Sequence, residues 1–93
     1  MLTITEALKK LPKDDGLLPI SAWETKEFIG FNMGFGGRPL INSSSHVFNK
    51  KTGEDLGMCY SATQLIVGDK EYPLDDAKFI PPEQVQAAMK YSK

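Results

Sequence analysis

Apolar residues at the start of the chain recur with a helical period. Ile4, Ala7, Leu8 and Leu11 fall at i, i+3, i+4 and i+7, which places them on one face of a helix. Thr3 stands three residues before Glu6, the spacing of a capping box, in which a hydroxyl and a carboxylate each satisfy an orphaned amide at the helix start. Lys9 and Lys10 suit the negative end of the helix dipole, and Pro12 ends the helix. A helix this short is stable only when docked against the rest of the chain.

Lys13, Asp14, Asp15 and Gly16 then form a turn, and the 3.6-residue period disappears. Aromatic and branched residues dominate LLPISAW and KEFIGFNM, which read as strands. In the second run Ile29, Phe31 and Met33 share a face that a helix can cover, whereas Phe28, Gly30 and Asn32 form a lighter outer side. Residues 34–39, GFGGRP, read as a loop, and residues 42–45 extend the irregular stretch. Val47 and Phe48 lead into NKKTGE, where Asn49 suits the first turn position and Gly53 can take a positive φ, the signature of a β-hairpin. Its return strand carries Leu56, Met58 and Tyr60 on one face, with Gly57 and Cys59 on the other. Gln64, Leu65, Ile66 and Val67 run into Gly68 and Asp69 and back through KEYPL, a second hairpin whose last strand lies at an edge because Pro73 cannot donate. Pro82 fits a first helical position, with Val85, Ala88 and Met89 on the apolar face of a closing helix. The pattern predicts an α+β fold: a twisted antiparallel β-sheet packed on one face against the N-terminal helix, with a short C-terminal helix alongside or at an edge.

At 93 residues the chain makes one domain spanning residues 1–93. Folding hides only about 60–65% of the surface of so short a chain, so the core is thin. The formal net charge of -1 argues against a nucleic-acid partner, which calls for a basic surface. A single Cys and a single His exclude an internal disulfide and a His-rich metal site, so neither a metal nor a cofactor is expected. The first residues lack a basic start followed by an apolar run, and no stretch approaches the roughly 18 apolar residues of a membrane span. A cytoplasmic protein with a reduced thiol and no membrane partner is the expectation.

Candidate chemistry is sparse. Gly34, Gly36 and Gly37 with Arg38 invite an anion-binding loop, since consecutive amides can cradle a phosphate, yet their spacing matches neither GxGxxG nor GxxxxGK[ST]. His46 and Cys59 offer a base and a thiol, but no cysteine-nucleophile signature surrounds Cys59; a structural Cys and a surface His are the simpler reading. The adjacent pairs Asp14-Asp15 and Asp75-Asp76 lack calcium-loop spacing and read as solvated turns. No catalytic residue is assigned, and the chain is expected not to be an enzyme.

The distribution of charge says more than its total. Residues 54–76 hold six acidic residues and one basic, a net of -5, between flanks of +2 each. Glu54, Asp55, Asp69, Glu71, Asp75 and Asp76 are therefore candidates for a surface that draws a basic partner, with Tyr72 or Phe35 as an apolar anchor.

A leading amphipathic helix, a Trp followed by an aromatic strand (Trp23, Phe28, Phe31), a loop, and the strand and turn VFNKKTGE resemble small bacterial immunity proteins of the immunity protein 35 type. The resemblance covers roughly residues 23–57; the GFGGRP loop and the hairpin near Gly68 depart from it. It implies a non-enzymatic cytoplasmic protein that binds and neutralises a cognate toxin, and it carries over no catalytic residue. The charge pattern thus leads to a protein-binding module with a basic partner, and the resemblance implies that this partner is a toxin domain. Two alternatives stand beside it: a small anion- or ligand-binding domain using Gly34, Gly36, Gly37 and Arg38, and a structural subunit of a homodimer or larger assembly, for which an exposed edge strand suffices.

Overall fold

The chain begins as a capped helix. The computed structural model describes residues 1–12, 17–35, 38–39 and 44–91, and in it α1 (Ile4–Lys10) carries both halves of the capping box. The Thr3 hydroxyl accepts from the Glu6 amide at 3.2 Å, and the Thr3 amide donates to the Glu6 carboxylate at 3.0 Å. The expected turn at residues 13–16 lies outside the described residues.

Strands follow where β-branched and aromatic residues cluster: β1 (Leu17–Glu24), β2 (Phe28–Phe35), the two-residue β3 (Arg38–Pro39), β4 (Ser44–Asn49), β5 (Asp55–Ser61), β6 (Gln64–Val67), β7 (Lys70–Pro73) and β8 (Lys78–Ile80), before α2 (Pro82–Tyr91). Seven of them form one antiparallel sheet in the order β7-β6-β5-β4-β2-β1-β8, with β3 appended to β2. The Asn49 side chain accepts from the amides of Lys51 and Thr52, and Gly53 takes φ 77°, so the first hairpin is the one the sequence specifies. Strand β7 ends the sheet, as Pro73 requires.

The sheet is curled. The rings of Phe28 on β2 and Tyr72 on β7 meet edge to face at 4.9 Å although β6, β5 and β4 lie between them in the sheet. Only bending the sheet toward the face that carries both rings brings them together. That face is concave and encloses a core of Trp23, Phe28, Val47, Cys59 and Leu65, with Leu56, Val67, Tyr72 and Leu74 packed around it. On the convex face α1 and α2 cover a second core of Ala7, Ala22, Ile29, Phe31, Met33, Phe48, Ile80 and Val85. Ile29, Phe31 and Met33 thus face the helices as their alternation predicts, and α2 packs along β1 as well as on α1.

Several expectations are corrected. The face of Phe28 and Gly30 is buried rather than a lighter outer side, because the curl of the sheet covers it. The stretch expected to be a loop contributes Gly34 and Phe35 to β2 and Arg38 and Pro39 to β3; Gly36 and Gly37 lie outside the described residues. Strand β4 begins at Ser44, inside the stretch expected to be irregular. Leu56 does not share a face with Met58 and Tyr60. Gly57 adopts φ 73° where the register slips between Val47 and Phe48, a bulge that turns Leu56 toward the concave core. Strand β8, too short to show a pattern, forms an edge that the sequence did not announce.

Candidate functional site

The helices reach only part of the convex face. Their cores end at Phe48 on β4, and the strands beyond, β5, β6 and β7, present this face to solvent. Register sets what stands there. Ser44 faces Tyr60, Tyr60 faces Ile66, and Ile66 faces Glu71, a row running to the edge of the sheet. Met58 lies two residues before Tyr60 on the same side, opposite His46. Met58 and Tyr60 are 46% and 48% exposed, which is high for large apolar side chains within a strand.

The acidic segment is only partly gathered on this surface. Glu71 belongs to the row itself, and Asp69 stands in the turn that joins β6 to β7. Asp55 lies on the convex side at the start of β5, where its carboxylate meets His46 Nε2 at 2.7 Å and accepts from the Gly57 amide at 2.8 Å. Glu54 ends the first hairpin turn, its amide donating to the Thr52 hydroxyl at 3.2 Å. Asp75 and Asp76 occupy the turn between β7 and β8, closed by a bond from the Ala77 amide to the Leu74 carbonyl at 3.1 Å. All six acidic residues are exposed. Tyr72 is half-buried, its ring on the concave side against Phe28, and Phe35 is exposed at the end of β2.

His46 and Cys59 occupy opposite faces. Cys59 pairs with Ser45 across β4 and β5, whereas His46 pairs with Met58, so the pleat sends imidazole and thiol apart. The Cys59 thiol donates to the Leu56 and Gly57 carbonyls at 3.5 and 3.7 Å, and burial, with the charge of Asp55 second, pushes its pKa up. This is an environment for a structural thiol. His46, expected at the surface, is buried against Phe48, with ring centroids 5.1 Å apart. Its partner Asp55 makes burial of the polar ring tolerable.

A buried polar network on the concave side escaped the sequence reading. Ser45 Oγ accepts from Trp23 Nε1 at 3.1 Å, donates to Asn32 Oδ1 at 2.8 Å and lies 2.7 Å from Ser61 Oγ. Asn32 Nδ2 donates in turn to Ser21 Oγ at 2.9 Å. A hydroxyl has one proton and two lone pairs, so with its proton on Asn32, Ser45 must accept from Ser61. Small hydroxyls in strands carry no periodic signal, so nothing in the sequence marked this network.

Gly34 is closely packed. A Cβ there would run into the Arg38 carbonyl and the Ile20 side chain, so the close pairing of β3 with β2 accounts for this glycine. Arg38 itself is exposed. Among the described residues no group of three or more His, Cys, Asp or Glu could hold a metal, and no helix is long and apolar enough to cross a membrane.

Fold and surface together define an α+β protein: a curled antiparallel sheet backed by two helices, with apolar and acidic side chains on the uncovered part of its convex face. No family model, curated protein or solved structure matches the chain.

Proposed function

We propose that this chain is a non-enzymatic protein-binding module that receives a basic partner on the outer face of β5, β6 and β7. One observation carries the reading: Met58, Tyr60 and Ile66 stand beside Glu71 on a sheet face that the helices leave uncovered. Tyrosine and methionine are enriched at protein interfaces, and acidic residues at the rim of such a patch speed encounter with a basic surface and fix its register. Asp69 and Glu71 supply that rim. Tyr60 takes the anchoring role in place of Tyr72 and Phe35, since Tyr72 packs on Phe28 and Phe35 stands on β2, apart from the acidic strands. The resemblance of residues 23–57 to immunity proteins supports a finer reading, in which the partner is a toxin domain held inactive.

Site-specific photocrosslinking in the native cell tests this. A photoreactive residue at position 60 is expected to give one discrete adduct with a basic protein, whereas the same residue at Ala87, on the exposed side of α2, gives none. No adduct at position 60, or the same adducts from both positions, would overturn the reading. For the finer reading, co-expression of the captured protein alone is expected to arrest growth and this chain to relieve the arrest.

A further inference from the structure

A second surface lies at the opposite side of β7. The concave contact between Phe28 and Tyr72 opens to solvent as a groove of about 180 Å³. Two tied turns make its walls. On one side the Thr25 hydroxyl accepts from the amides of Glu27 and Phe28, the Thr25 amide donates to the Phe28 carbonyl, and the Lys50 amide donates to the Glu27 carbonyl at 2.7 Å. On the other, the bond from the Ala77 amide to the Leu74 carbonyl closes the turn bearing Asp76. The groove is thus built before any ligand arrives.

Its lining has a definite chemistry. The half-buried Tyr72 ring supplies aromatic surface, backed by the buried Phe28, and Glu27 and Asp76 line opposite walls. Neither carboxylate meets a basic side chain among the described residues, where the carboxylate contacts of this kind are Asp55 with the His46 ring and Glu24 with Lys50. Lys26, also lining the groove, leaves that lining net negative. A divalent metal is poorly served here, since it wants six or more oxygen ligands and would meet aromatic carbon. A planar organic cation satisfies both features: a guanidinium stacks on an aromatic ring and donates in its plane to carboxylates on either side.

We propose that the groove between residues 25–28 and 72–76 receives an arginine side chain of the partner, stacked on the Tyr72 ring and held between Glu27 and Asp76. The inference rests on the protein-binding reading only for the source of the arginine. The groove itself is tested with a free derivative, so its failure leaves crosslinking from position 60 untouched, and the reverse. In a ¹⁵N-labelled sample of the whole chain titrated with N-acetyl-arginine amide, saturable shifts are expected at residues 25–28 and 72–76. The neutral isostere N-acetyl-citrulline amide is expected to leave them unmoved. The double variant Glu27→Gln, Asp76→Asn, both exposed positions, should keep a dispersed spectrum and bind the arginine derivative about tenfold more weakly or worse, because neutral amides lose the charge that the guanidinium pairs with. Absence of localised shifts, equal shifts with citrulline, or unchanged affinity in the double variant would each overturn the proposal.

Discussion

The indole of Trp23 on β1 crosses β2 to donate to the hydroxyl of Ser45 on β4, 3.1 Å away. It passes over Gly30, its register partner on β2, where any Cβ would collide with the ring. One side chain thereby ties three neighbouring strands on the concave face. Ser45→Ala leaves the indole N–H without its acceptor and Asn32 without its donor, and is expected to lower stability by about 1–3 kcal/mol in urea denaturation. Gly30→Ala displaces the indole and is expected to cost a similar ~1–3 kcal/mol, with a shifted Trp emission in the folded baseline. Native-like stability in both variants would contradict this arrangement.

Asp55 holds the buried imidazole of His46 from outside and also caps the Gly57 amide at the bulge. Asp55→Ala removes both bonds. With the carboxylate 46% exposed, the loss is expected near the lower end for such bonds, about 1 kcal/mol, with the unfolding slope unchanged.

Burial and the neighbouring Asp55 raise the pKa of the Cys59 thiol, so the thiolate is rarer in the folded chain than in the unfolded one. Iodoacetamide at pH 8 is expected to alkylate the native protein more slowly than the same chain in urea. The linkage has a definite sign. A raised folded pKa gives a contribution that is present below the unfolded value and lost as pH rises through the folded one, so stability should fall with alkali, and less so in Cys59→Ala.

At the other end of the pH scale, Glu6 is stabilised as a carboxylate by the Thr3 amide first and the Thr3 hydroxyl second, which lower its pKa. Its contribution is present above the unfolded pKa and lost as pH falls through the folded one. Glu6→Gln is expected to flatten the acid limb of the stability profile. Thr3→Ala is expected to cost about 1 kcal/mol near neutrality.

Local chemistry was legible in the sequence wherever it acts within a few residues: the box of Thr3 and Glu6, the Asn49 and Gly53 turn, and the edge position implied by Pro73. The helix-facing set of Ile29, Phe31 and Met33 was legible because strand alternation is strict. What alternation cannot carry is the bending of a sheet. That is why Phe28 and Gly30 looked like outer positions, and why the contact of Phe28 with Tyr72 was not foreseen. The bulge at Gly57 reversed the side of Leu56 by one residue, the usual consequence of a register slip. On the functional side, the segment 54–76 was marked by its charge, but the apolar residues it surrounds became visible only when the reach of α1 and α2 was known. Tyr60 had no distinction in the sequence from a core tyrosine.

The most direct measurement of the proposed role is calorimetric titration of the captured partner into this chain and into Tyr60→Ala and Glu71→Lys. Both positions are exposed, so melting temperatures should stay close to that of the parent. Loss of an interface anchor at Tyr60 is expected to weaken binding at least about tenfold. Charge reversal at Glu71 should weaken it further at low salt than at high salt. Unchanged affinity in Tyr60→Ala, together with a salt dependence that Glu71→Lys does not alter, would contradict the assignment of the outer face of β5, β6 and β7 as the binding surface.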